Sequence, residues 1–258
     1  MLYTGSGGNS AYIGVGTRGI LIDAGVSAKR IDQALIDVGT QLSNIDGIFI
    51  THEHIDHVRG LEVLSRKGKI PIYINEPTLR GAEQHGFTFN RELIHIMDTG
   101  DTVTVCDMRI TSFATMHDTE ASVGFRVETA DNRTIGYATD LGTVSEEVCK
   151  NLDGCDTVVL ESNHDIEMLK NGIYPYPLKI RILSEMGHLS NLDSAREIAR
   201  LGKAGTTRFI LAHLSQENNR PSIAYAEALN ALEAEGLRRG YDFELECAPV
   251  ASGELHVF

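Results

Sequence analysis

The apolar pattern opens with two short runs, Ala11-Tyr12-Ile13-Gly14-Val15 and Gly19-Ile20-Leu21-Ile22-Asp23, joined at Gly16-Thr17-Arg18; this predicts a β-hairpin. The same residues spell Gly14-Val15-Gly16-Thr17-Arg18-Gly19, a formal G-x-G-x-x-G. That fingerprint needs a helix directly after its glycines to hold a pyrophosphate. A second strand follows instead, so dinucleotide binding is excluded. Ile31, Ala34, Leu35 and Val38 then recur at helical spacing over 28–38. A buried strand, Gly47-Ile48-Phe49-Ile50, runs straight into Thr51-His52-Glu53-His54. A helix is expected over 58–66, a strand over 70–74, a helix over 76–85, and strands with short turns over 101–127. Helices over 194–201 and 223–237 flank a strand, Arg208-Phe209-Ile210-Leu211-Ala212.

The pattern also repeats. Arg18-Gly19-Ile20-Leu21-Ile22-Asp23-Ala24-Gly25 is echoed by residues 133–142, which end in Asp140-Leu141-Gly142. After a helix in each half, Ile45-Asp46-Gly47-Ile48-Phe49-Ile50-Thr51-His52 is echoed by Cys155-Asp156-Thr157-Val158-Val159-Leu160-Glu161-Ser162. Each half reads strand, Asp, helix, strand, polar loop. Two such αβ halves packed sheet to sheet would bring their polar strand ends to one rim. With no linker and no low-complexity segment, one domain over 1–258 is the expectation.

Composition narrows the function classes. No apolar run approaches the roughly 20 residues of a membrane helix, and the first residues lack the features of a secretory signal. The four cysteines (Cys106, Cys149, Cys155, Cys247) form no C-x-x-C pair and fit buried thiols in a reducing cytoplasm. A net charge of −13 argues against a broad basic footprint for nucleic acid. It leaves room for a locally positive groove, because bound metal ions bring their own charge.

The strongest chemical signal is His52-x-His54-x-Asp56-His57 at the end of a buried strand. Alternate residues of an extended segment point the same way, so His52 and His54 can grip one ion. Asp56 and His57 then face a neighbouring position. Imidazole and carboxylate are ligands for Zn²⁺, Mn²⁺ or Fe²⁺. Further candidates close other strands: His117 after residues 109–114, Asp140 after 135–139, and His213 after 209–212. Each alone is more often a hydrogen-bonded loop residue; together they supply what a second ion needs.

The order H-x-H-x-D-H, His, Asp, His resembles the metallo-β-lactamase superfamily across nearly the whole chain. The resemblance implies an α/β fold, a four-layer αββα sandwich of two similar halves with the metal site at one rim. It implies that His52, His54 and His117 hold one divalent ion, that Asp56, His57 and His213 hold a second, and that Asp140 bridges both. Closer still is the similarity to the bacterial YycJ/WalJ-type DNA exonucleases. It is carried by Gly5-Ser6-Gly7-Gly8-Asn9-Ser10, Leu160-Glu161-Ser162-Asn163-His164-Asp165, Gly187-His188-Leu189-Ser190-Asn191 and His213-Leu214-Ser215-Gln216-Glu217-Asn218-Asn219.

The expected chemistry is phosphodiester hydrolysis by a bridging hydroxide between two ions about 4 Å apart. His188 is the candidate general acid or phosphate donor, with a local hydrogen-bonding role as the alternative. Glu161 either orients His188 or caps backbone, and Asp56 counts with these two as catalytic. Asn163, Ser190 and Asn191 are uncharged donors suited to phosphate oxygens. Lys179 and Arg181, read as strand residues, face either the groove or solvent. His164 has either a site or a structural role, and His85, His95 and His256 have no motif context. The separation of Asp140 and His213 leaves no room for a large inserted domain, and few aromatic residues suggest limited base stacking. The resemblance makes DNA ends the expected substrate, cut 5′ to 3′ in the cytoplasm. Hydrolysis of a cyclic phosphodiester, thioester or lactam is the first alternative. A non-catalytic metal- or nucleotide-binding regulator is the second.

Overall fold

The computed structural model describes residues 1–251, and His256 lies outside them. The described residues form two compact units: Met1–Ser112, Thr119–Val123 and 249–251 make the first, Phe113–Asp118 and Gly124–Ala248 the second.

The first unit begins with the expected hairpin. β1 (Ala11–Val15) and β2 (Arg18–Ile22) pair antiparallel around a two-residue turn, with Val15 opposite Arg18. Gly16 sits there at φ +60°, a left-handed conformation that glycine adopts without steric cost. β3 (Ile45–Phe49), β4 (Ile72–Ile74) and β5 (Ile94–Ile96) continue the sheet in parallel, giving the order β1-β2-β3-β4-β5. α1 (Ala28–Asp37) buries Ile31, Ala34 and Leu35, the positions its 3.6-residue spacing aligned. The single helix expected over 58–66 is broken instead. α2 (Ile55–Val58) and α3 (Leu61–Val63) are single turns, followed by a π turn over Leu64–Gly68. Gly60 at the break packs its Cα against backbone, since a Cβ there would lie 2.3 Å from the Val26 carbonyl oxygen. α4 (Glu76–Gln84) is capped by Asn75, whose side chain accepts from the Thr78 amide. β6 (Thr102–Val105) and β7 (Met108–Ala114) form a second antiparallel hairpin. Leu21, Ile48, Ile50, Ile72, Ile31 and Leu61 belong to one buried cluster.

In the second unit β8 (Val123–Thr129) pairs antiparallel with β9 (Thr134–Ala138). β10 (Thr157–Glu161), β11 (Arg208–Ala212) and β12 (Glu244–Cys247) add in parallel, in the order β12-β11-β10-β9-β8. Its helices are α5 (Glu146–Leu152), α6 (Ile166–Asn171), α7 (Tyr176–Ile182), α8 (Asn191–Ala204) and α9 (Pro221–Ala234). Val158, Leu160, Phe209, Leu211, Ile198 and Leu232 form its core. Residues 178–181, expected as strand, are helical in α7: Pro175 and Pro177 preset the first turn, which outweighs the local alternation.

The sequence echo is a structural one. β2–Asp23–α1–β3 and β9–Asp140–α5–β10 have the same order, each with two parallel strands. Asp23 and Asp140 both adopt left-handed backbone, at φ 63° and 55°. No helix among the described residues is long and apolar enough to cross a membrane.

Candidate metal centre

In an open sheet with parallel strands, side chains at the carboxyl ends of the strands share one edge, the usual place for ligands. The first unit puts the loop Thr51–His57 after β3 and Asp23 after β2. Gly25 lets these two loops touch, because a Cβ on it would lie 1.6 Å from the Asp56 carbonyl oxygen. The backbone laces them together: Asn9 N donates to Asp56 O (2.7 Å), Gly25 N to Asn9 O (2.7 Å) and Ala24 N to His57 O (2.8 Å).

Within that loop His52 and His57 are fully buried and His54 is half-buried. The His52 ring centroid is 4.6 Å from that of His54 and 4.0 Å from that of His57. Asp56 Oδ2 is 3.6 Å from His57 Nε2. The four residues of the H-x-H-x-D-H run therefore lie close together. Asp23 had not been singled out, yet it organises them. Its carboxylate is buried, stands 2.8 Å from His57 Nδ1, and accepts from Thr51 N (2.9 Å) and Thr51 Oγ1. Burial raises the Asp23 carboxyl above the usual range, against the pull of His57 and Thr51. Asn9 Nδ2 donates to Asp56 Oδ2 at 3.3 Å and stands 2.9 Å from His57 Nε2. The Asp23–Asp140 echo was the one signal that pointed to Asp23; Asn9 was visible only inside the glycine-rich motif.

The second unit gathers His117, Asp140, Glu161, His188 and His213. Asp140 follows β9, Glu161 ends β10, and His213 follows β11 in left-handed backbone at φ 56°. Asp140, Glu161, His188 and His213 each offer a ligand atom, all within 4.8 Å of one another. Glu161 is buried and fully engaged. Oε1 lies 2.9 Å from His188 Nδ1 and 2.8 Å from His213 Nδ1, while Oε2 accepts from the amides of Leu141 (3.0 Å) and Leu189 (3.3 Å). It thus holds the imidazole and caps backbone at once, where the sequence had offered these as alternatives. Burial alone would raise its carboxyl; the two imidazoles outweigh that and hold it well below the usual range. Conversely, burial disfavours the His188 cation, and the Glu161 carboxylate overcomes this and raises its pKa. The His188 side chain keeps 20% of its surface exposed, so it can still meet a ligand.

His117 Nδ1 is 3.0 Å from the Gly187 carbonyl oxygen, and His117 Nε2 is 4.0 Å from Asp140 Oδ1. In His57, His117 and His213 alike, Nδ1 faces an acceptor: Asp23, the Gly187 carbonyl and Glu161. This fixes the tautomer that leaves the lone pair on Nε2, the form a metal-ligating histidine needs. Buried imidazoles so prepared, together with buried carboxylates, suit a divalent transition ion.

The remaining expected residues have internal partners. Asn163 Nδ2 donates to the His213 carbonyl at 2.9 Å. Ser190 caps α8 by accepting from Asp193 N (3.1 Å) and donates to Asp193 Oδ2 (2.7 Å). Asn191 is buried, accepts from Ser162 Oγ and donates to Asn219 Oδ1. Arg181 pairs with Asp118, and Lys179 Nζ donates to the carbonyls of Lys170 and Gly172. Buried His164 has its pKa pushed down to about 4 by desolvation, so it is neutral at pH 7. His95 stacks on Tyr73.

Comparison with known proteins follows this geometry. The family model of the beta-lactamase superfamily domain matches residues 18–214. The chain is 37% identical to the exodeoxyribonuclease WalJ of Streptococcus pneumoniae over 247 residues, 95% of this chain and 91% of that protein. It is 36% identical to the exodeoxyribonuclease YycJ of Bacillus anthracis, over 95% of this chain and 92% of that one. The crystal structure of the metallo-beta-lactamase fold protein YhfI from Bacillus subtilis superposes with a TM-score of 0.72 at 17% identity, covering 98% of this chain and 95% of that one. The strand ends that carry these histidines and carboxylates are those of the metallo-β-lactamase fold, and the chain belongs to the beta-lactamase superfamily.

Proposed function

We propose that this protein is a metal-dependent DNA exonuclease that degrades strands in the 5′ to 3′ direction. The observation that carries this reading is the buried Glu161 carboxylate shared between His188 and His213, in a chain 37% identical to a named exodeoxyribonuclease. In this reading His52, His54 and His117 hold one divalent ion, Asp56, His57 and His213 a second, and Asp140 is shared. Zn²⁺ or Mn²⁺ suits the donors, with Fe²⁺ also within their range. Bound ions supply Lewis acidity to the phosphoryl group and lower the pKa of water.

The chain's own residues do the rest. Glu161 accepts at Nδ1 of His188 and fixes the imidazolium, so that the mobile proton sits on Nε2. As the bond from phosphorus to the leaving oxygen breaks, His188 Nε2 gives that oxygen its proton. Asp23 keeps His57 in its ligand tautomer. Asn163, Ser190 and Asn191 brace the loops bearing His213 and His188, and any contact they make with phosphate is secondary to that work.

The test uses protein stripped by chelator and reloaded with Zn²⁺ or Mn²⁺, acting on end-labelled DNA. Stepwise shortening from the 5′ end is expected. His54→Ala and Asp140→Asn should abolish it, and His188→Ala should lower kcat about 10²–10⁴-fold. Intact DNA with every metal, beside turnover of a small diester, would refute the nuclease assignment.

A further inference from the structure

α7 wears its apolar side outward. Within the helix Tyr176 and Ile180 stand four residues apart on one face, Ile173 lies in the loop before it and Leu183 follows its last residue, and all four are exposed: Ile173 by 87% and Tyr176 by 75%. Met186, after the helix, and Leu192, in α8, are further exposed apolar side chains. Only Ile182 of the helix is buried. Large exposed apolar side chains grouped on one element often mark an interaction surface.

The strip is joined rigidly to the candidate proton donor. His188 N donates to the Ile182 carbonyl at 3.0 Å. Gly187 lies directly on the end of α7, where a Cβ would come within 2.2 Å of the Arg181 carbonyl oxygen and 2.3 Å of that of Ile182. Lys179 Nζ, bonded at 2.7 Å to the carbonyls of Lys170 and Gly172, closes the loop that leads into the helix. Arg181 ties the outer side to Asp118. Helix, loop and His188 thus form one tethered piece.

Charge separates this segment from the rest of the molecule. Between Glu167 and Glu185 there is no carboxylate, and three cations fall there, in a chain of net charge −13. Lys170 is matched by Glu167 and Arg181 by Asp118, but Lys179 bonds to carbonyls, which leave its charge in place. An exposed aromatic ring, apolar neighbours and a local cation on an acidic protein suit a ligand that is both a polyanion and flat-faced. Single-stranded nucleic acid is such a ligand: bases stack on aromatic side chains while cations follow the backbone. A second copy of the chain fits less well, because six side chains fall short of the 20–30 residues a side that a stable interface engages.

We propose that the outward face of α7, centred on Tyr176 and Ile180 beside His188, is the platform on which unpaired bases near the end of a DNA strand stack. This deepens the exonuclease reading and rests on it. Stacking there grips the strand through its bases, without sequence preference, and sets the backbone in front of His188.

The experiment compares wild type with Tyr176→Ala, Ile180→Ser and Tyr176→Phe, all metal-loaded. The substrates are a single-stranded oligonucleotide, the same oligonucleotide with abasic sites near its end, and bis(p-nitrophenyl) phosphate. Tyr176→Ala and Ile180→Ser should each raise KM for the normal oligonucleotide about tenfold. They should leave turnover of the small diester unchanged, and Tyr176→Phe should behave as wild type. Wild type should prefer the normal oligonucleotide to the abasic one, and Tyr176→Ala should lose that preference. An unchanged KM in Tyr176→Ala overturns the platform while leaving the nuclease intact. So does a dimeric wild type that Tyr176→Ala converts to a monomer with equal losses on DNA and the small diester. A wild type that cleaves the diester but no DNA takes down the nuclease reading, and the platform with it.

Discussion

Asp23 lies outside the proposed ligand set, yet it is bonded directly to one of its members. One buried carboxylate holds the His57 imidazole and both the amide and hydroxyl of Thr51. Outer-shell partners of this kind typically contribute 10–100-fold to metal affinity. Asp23→Asn keeps the left-handed backbone at small cost, since Asn tolerates positive φ. It changes what His57 Nδ1 faces from a carboxylate to an amide. Metal affinity, measured by competition against a chromophoric chelator, should fall by about 10–100-fold with little change in melting temperature of the metal-free protein. Affinity equal to wild type would remove Asp23 from the centre. The H-x-H-x-D-H run was legible in the sequence because its donors lie within six residues of one another. Asp23 was not, because its partners are 28 and 34 residues away. Asn163 and Asn191 read as phosphate donors from their chemistry; the fold adds protein partners for both, His213 for the first and Ser162 and Asn219 for the second.

At the scale of elements, strand ends were easier to read than helices. β2, β3, β9, β10 and β11 are buried runs with a sharp change to polar residues where they stop, so both the strands and the residues after them were visible. The helix over 58–66 was misjudged because the close approach of Gly60 to Val26 is a long-range contact. Within α7, Leu178-Lys179-Ile180-Arg181 alternates like a strand; the spacing of Tyr176 and Ile180 four residues apart is the competing signal. α8 gives a test of its own. Ser190 is its N-cap, so Ser190→Ala should lower stability in urea by about 1 kcal/mol and leave KM for DNA within about twofold. A raised KM at unchanged stability would instead make Ser190 a phosphate contact.

For the whole molecule, net charge bears on the proposed binding of DNA. With a net charge of −13, a chain that binds a DNA strand as proposed would release few counterions. Oligonucleotide affinity measured by anisotropy should therefore fall with salt on a log–log slope of magnitude no more than about 2, corresponding to two or three single-strand phosphates. A slope near 5 would reveal a basic groove with many more contacts. The path of the chain carries a different kind of consequence, one for biosynthesis. Thr4 N donates to the Val250 carbonyl, and Tyr3 bridges both Ser10 and Ala251. At 5–20 residues per second, the ribosome adds residues 250 and 251 roughly 10–50 s after residues 3 and 4. Every strand of the second unit exists before then, so the segment around residues 3 and 4 meets its last neighbours only after those strands have been made.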